Sequence, residues 1–185
     1  MGADRSVKAE FDYVLGKARA LLQLREIAEK RRPIENATNL LPPLPPPLNE
    51  FKAMIDKWAT TVDDVLCEMV IVIAVTALEI YLEGVYQQKK GDWKKGKLEN
   101  IGRLNQWSKE LGLNLFGDVK EGSLREVFEI RHAIVHRGGR LDQKAVEGLK
   151  MGKLGQEVKE FLTEQRTQEM LAQISRLVES IERQI

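Results

Sequence analysis

Between residues 66 and 82 the chain sets Leu66, Met69, Val70, Val72, Ile73, Val75, Leu78, Ile80, Tyr81 and Leu82 so densely that no single stripe of a helix holds them all. A helix that is apolar on almost every side must be covered on several sides, by neighbouring segments or by a second subunit. The helical segment that contains this stretch, from about Asn49 to Gln88, therefore fixes the plan of the fold: the other segments have to supply faces that pack around it. Its most lipid-like part, MVIVIAVTAL at 69–78, is ten residues long between Glu68 and Glu79. A bilayer span needs roughly 20 residues, so a core helix and no membrane association are expected. At roughly 100° per residue, Glu68, Thr76, Glu79 and Glu83 share its one polar sliver.

Around this segment the spacing predicts further helices. Over 4–32, Val7, Phe11, Val14, Leu15, Ala18, Leu21 and Leu22 recur every three or four residues, as on a helix with one buried face, and Pro33 stops the pattern. NLLPPLPPPLNE at 39–50, with five prolines in twelve residues, reads as a stiff extended connector. Leu98, Ile101, Leu104, Trp107 and Leu111 predict a helix over 98–111 closed by Gly112. Ser123 and Glu126 have the spacing of a capping box and open the next helix, which Gly138 and Gly139 end. A short helical turn is expected near 143–149 within a glycine-bearing connector. A last helix follows Thr163, with Met170, Ile174, Leu177, Val178 and Ile181 as its stripe. No alternating strand pattern occurs. The expectation is an all-α antiparallel bundle of four to five main helices, with 1–49 as N-terminal helix plus proline-rich connector and 50–185 as the bundle, together one compact domain.

Composition narrows the function classes. Of 185 residues, 29 are Lys or Arg and 28 Asp or Glu, a net charge of +1, so no overall field draws the chain onto nucleic acid or an anionic membrane, and any such contact needs a local patch. The lysine-rich QKKGDWKKGK at 88–97, with Lys94 and Lys95 beside Trp93, offers one. The single Cys67, in an apolar run, excludes an internal disulfide framework; with a charged, amphipathic N-terminus unlike a signal peptide, it points to a cytoplasmic protein.

Histidine occurs twice, and both copies lie in EIRHAIVHRGGR at 129–140. On a helix over 123–137, Leu124, Val127, Phe128, Ile134 and Val135 form one face and Arg131 falls in its middle. A guanidinium buried without a partner costs several kcal/mol, on the order of the penalty for any uncompensated charge, so Arg131 must meet a carboxylate, a water-filled cleft or an anion. His132 and His136, four residues apart, stack one turn above the other on the flank of this face. Arg131 and His136 are about 140° apart on an ideal helix, so one helix does not aim both at a common atom, whereas two copies meeting about a two-fold axis would. Three chemistries compete. A zinc site lacks the Glu of H-E-x-x-H and has no further His and no suitable Cys, so no metal and no cofactor is expected. Acid–base work on phosphate uses a histidine titrating near neutrality and an arginine for the developing charge. A structural Arg–Glu pair with histidines at a helix end is the third.

Arg131-His132-x-x-x-His136 resembles the R-x4-6-H motif of the HEPN superfamily, in which a polar residue commonly follows the arginine. The upstream AVTALEIYLEG at 74–84 and the glycine-closed end of EIRHAIVHRGG match the context, and the resemblance covers roughly 50–185. It implies an all-α bundle that homodimerises through the motif helices around a shared cleft and cuts RNA without metal, in a toxin of a toxin–antitoxin pair or a component of phage defence. His136 would act as general acid or base, Arg131 would hold the scissile phosphate, and His132 would orient substrate or tune its neighbours. The products would be a 2′,3′-cyclic phosphate and a 5′-hydroxyl, a route open to RNA only. Glu79 matches an acidic position near the motif arginine, with Glu83 as the alternative. Arg137 and Arg140, with Lys94 and Lys95, would supply the RNA-binding surface, and an antitoxin or regulatory protein is an expected partner. The competing reading is a non-catalytic helical module that binds a partner or a nucleotide.

Overall fold

In the computed structural model, residues 4–31, 46–91, 100–116, 119, 121–149, 152–160 and 162–185 are described. They form six α-helices: α1 (Asp4–Arg31), α2 (Pro46–Lys90), α3 (Ile101–Leu111), α4 (Glu121–Arg137), α5 (Gln143–Leu149) and α6 (Glu164–Glu182), with a single 3-10 turn at Val158–Glu160. No strand occurs among the described residues, where one isolated antiparallel bridge joins Arg140 and Glu157. The chain is all-α. Five helices are long, and the sixth, α5, is the seven-residue element where the sequence predicts no more than a turn.

The 45-residue α2 is the axis of the fold and packs against α1, α4 and α6. Val70, Ile71, Ala74, Val75, Leu78, Tyr81 and Leu82 are buried in one core with Phe11, Leu15, Ala18 and Leu22 of α1, Val127 and Ile130 of α4, and Ile174, Leu177 and Ile181 of α6. By length and composition alone the stretch Val65–Lys90 could cross a membrane, and half of its most apolar window is buried inside this protein. Among the described residues the remaining side of α2 is open from Val65 onward, leaving Val65, Met69 and Ile80 between 44 and 48% exposed. The expected covering of the helix is therefore met on three sides.

Helix ends follow local chemistry. Asn100 caps α3 by accepting from the Arg103 amide at 3.0 Å, and Gly112 closes it in the left-handed region at φ 70°. Thr163 caps α6 by accepting from the Arg166 amide at 3.2 Å. Two expectations need correction. Helix α2 starts at Pro46, so the end of the proline-rich stretch is helical rather than extended; prolines suit a first turn, whose amides lack intrahelical acceptors. The rest of that stretch, 39–45, lies outside the described residues. Ser123 and Glu126 form no capping box, because α4 already begins at Glu121 and the Glu126 carboxylate is taken by the Arg166 guanidinium of α6, a stronger partner than a backbone amide.

Arg131 of α4 meets Glu79 of α2, and beyond the end of α4 Gly139 lies against Glu68, so the two helices run antiparallel. Gly138 and Gly139, at φ 58° and 78°, turn the chain away from α4; Leu141 then donates to Gln156 O at 2.9 Å and Val158 to Gly139 O at 2.7 Å, which tie the loop down.

Gly84 sets the closeness of α1 and α2: a Cβ there would lie 2.6 Å from Val7 Cγ1 and 2.9 Å from Cγ2. Valine is stiff at χ1, so α1 itself would have to shift. Gly84→Ala should lower stability by roughly 1–3 kcal/mol although alanine is the better helix former. Gly16→Ala, where nothing lies within 4 Å of the added carbon, should be neutral or stabilising. Denaturant unfolding of both variants checks this, and equal midpoints would contradict the packing.

Candidate active site

Arg131 leaves α4 on the side that meets α2. Its Nη2 lies 3.4 Å from Glu79 Oε2, with the two side chains 18 and 26% exposed, and its Nε is buried without a hydrogen-bond partner. Of the two acids expected near it, Glu79 is the partner; Glu83, one turn on, accepts from Gln87 Nε2 at 3.5 Å. The apolar face is also rotated from its expected position. Ile130 and Ala133 are fully buried, while Val135, predicted for the core, is 46% exposed. Arg131 thus sits at the border of the buried face and not in its middle, because α4 packs on α2 along one side and on α5 and α6 along others. At that border the guanidinium is largely desolvated yet able to reach a carboxylate.

His132 and His136 have ring centres 4.6 Å apart and planes tilted by 46°. His136 is exposed and His132 half-buried. Burial holds the His132 pKa below its ordinary 6.5, assisted by the positive charges of Arg137, His136 and Lys144 and opposed by Glu129. Near pH 7 His132 is therefore neutral, able to accept a proton or a metal at one ring nitrogen. Arg131 with Glu79 and the two imidazoles make separate clusters on different sides of α4.

The basic residues expected to line an RNA surface have mixed placements. Arg137 is half-buried, its Nη1 2.6 Å from Asp142 Oδ1; that nitrogen makes no aligned hydrogen bond, so the contact is a charge pair. The same Asp142 oxygen accepts from the Ala145 amide at 2.8 Å and so starts α5. Arg140 is well exposed and 3.8 Å from Glu157, which also pairs with Lys159 at 2.8 Å; Lys159 chiefly holds the Glu157 carboxyl below its usual range. Lys94 and Lys95 lie outside the described residues. Three residues absent from the sequence expectation belong to the site. Glu129, three residues before His132 on the same side of α4, was legible in helical spacing. Asp142 and Lys144 come to the site only because the glycine turn folds α5 back toward α4, which no spacing rule reveals.

No protein-family model matches the chain, and comparisons with curated proteins and with solved structures give no match.

Folding favours the neutral form of His132, so its contribution has no acid penalty above about pH 6.5 and becomes destabilising as pH falls through 6.5 toward the lower folded value. Unfolding midpoints at pH 7.5 and 5.0 should show the wild type losing more stability than His132→Gln. The same loss in both proteins would rule out His132 as a source of acid sensitivity.

Proposed function

We propose that the protein is a metal-independent endoribonuclease of the HEPN type, acting as a homodimer in a toxin–antitoxin or phage-defence setting. The observation that carries this reading is the content of two turns of α4: a guanidinium, largely desolvated and held by Glu79 with a buried unpartnered Nε, and a facing pair of imidazoles of which His132 is neutral near pH 7. Buried donors without partners are rare in folded proteins and call for an explanation such as a catalytic role. In this reading Arg131 binds the scissile phosphate and the charge that grows on it. His136, the exposed ring, takes the proton from the ribose 2′-hydroxyl or gives one to the leaving 5′-oxygen, and His132 sets its orientation and charge.

Dimerisation is supported by the open side of α2. Val65, Met69 and Ile80 flank the exposed Thr76, and the half-buried Val72 and Ile73 extend the strip. Val135 of α4 is exposed as well. Contiguous apolar surface of this kind marks interaction sites. A second copy docked on it about a two-fold axis would bury the Arg131–Glu79 pair further and add a second pair of imidazoles, so that the 140° separation within one α4 is bridged between subunits.

Cleavage of single-stranded RNA in the presence of a chelator tests the reading. His136→Ala should lower the rate by roughly 10²–10⁴-fold, the usual worth of a general acid or base, and a 2′-deoxy residue at the scissile position should block cleavage. Equal rates for wild type and variant would overturn it. Ile80→Glu should convert a dimer into a monomer by light scattering and abolish cleavage with it. The ion pair of Arg131 with Glu79 favours one competing reading, a non-catalytic helical module that uses the same strip. In that case Ile80→Glu separates the subunits but no His136-dependent cleavage is found.

A further inference from the structure

We propose that His132 and His136 form a two-ligand site for a divalent transition-metal ion, Zn2+, Ni2+ or Cu2+, and that loading this site withdraws both imidazoles from proton transfer. The binding half stands on its own geometry; the inhibitory half rests on the nuclease reading.

The rings project from consecutive turns of one helix, so their spacing is set by α4 rather than by long flexible stems. With metal–nitrogen bonds of about 2.0–2.1 Å and the ring centre roughly 1.1 Å beyond the nitrogen, two imidazoles on one tetrahedral or octahedral ion have centres about 4.4–5.2 Å apart. The observed 4.6 Å falls inside this window. His136 is exposed and His132 half-buried, so an ion arrives from solvent without opening the fold.

Among the described residues no third His, Cys, Asp or Glu joins the two in a metal-binding group. This is why the histidine spacing does not make a structural zinc centre, and it leaves the remaining coordination positions to water or an incoming ligand. Such a site is exchangeable. Borderline ions that favour imidazole are selected, and Mg2+ and Ca2+, which require oxygen ligands, are not. The charges around His132 tune the affinity in opposite directions. Glu129, on the same side of α4, favours a cation, whereas Arg137 and Lys144 oppose it.

Calorimetric titration of the full chain with ZnCl2 at pH 7.5 should give one ion per chain, and Cu2+ should bind more tightly, with nitrogen ligands visible by electron paramagnetic resonance. His132→Ala and His136→Ala, checked for retained helicity by circular dichroism, should each abolish this binding, and Lys144→Gln should strengthen it. A wild type that binds neither ion, or binding that survives both single substitutions, overturns the site. In the cleavage assay Zn2+ should stop the wild type and a chelator should restore it; cleavage unchanged at saturating Zn2+ overturns the inhibitory half. A chain that binds Zn2+ but cuts no RNA would remove the nuclease reading and leave the metal site standing.

Discussion

The covering of α2 is the constraint on which the structure depends. Each large aliphatic side chain it buries contributes about 1.5–3 kcal/mol, and the buried set of α2 alone includes Val70, Ile71, Val75, Leu78 and Leu82. Helices α1, α4 and α6 all meet it, and their own stripes are legible as partners for its three covered sides. Gly84 lets α1 approach where any side chain would hold it off, and antiparallel α4 carries the histidines past the turn of α2 that bears Glu79. The position of the site is a by-product of burying this one helix.

The same packing decides the charge state of the site. Arg131 is placed at the border of the buried face of α4, dry enough to strengthen its attraction to Glu79, and in the proposed nuclease the pair would meet an incoming anion there. The imidazoles look another way. In the proposed nuclease this division makes α4 a carrier of two half-functions, which a second copy docked on Val65, Met69 and Ile80 would bring together.

Much of this was readable in the sequence. The three- and four-residue spacing of Phe11, Leu15, Ala18 and Leu22, and of Met170, Ile174, Leu177 and Ile181, gives α1 and α6 with their buried faces, and Gly112, Thr163 and the Gly138–Gly139 pair mark ends that the backbone obeys. The charge placed on the oily stripe called for a carboxylate, a water-filled cleft or an anion, and of these Glu79 is the carboxylate that Arg131 meets. What spacing could not provide was tertiary competition. Glu126 has the right interval for a capping box but lies within reach of Arg166, and Val135 has the right interval for the core but is exposed. Asp142 and Lys144 follow a tight turn whose direction depends on two positive φ angles, beyond the reach of any periodicity.

Asp142 links events that look unrelated. It starts α5 with one carboxylate oxygen and neutralises Arg137 with the same atom, while α5 carries Lys144 to within electrostatic range of His132. A proton arriving on His132 meets the positive charges of Arg137 and, more weakly, Lys144. Asp142 thus ties the start of α5 and the charge of Arg137 to a single oxygen, just past the turn that follows the motif helix.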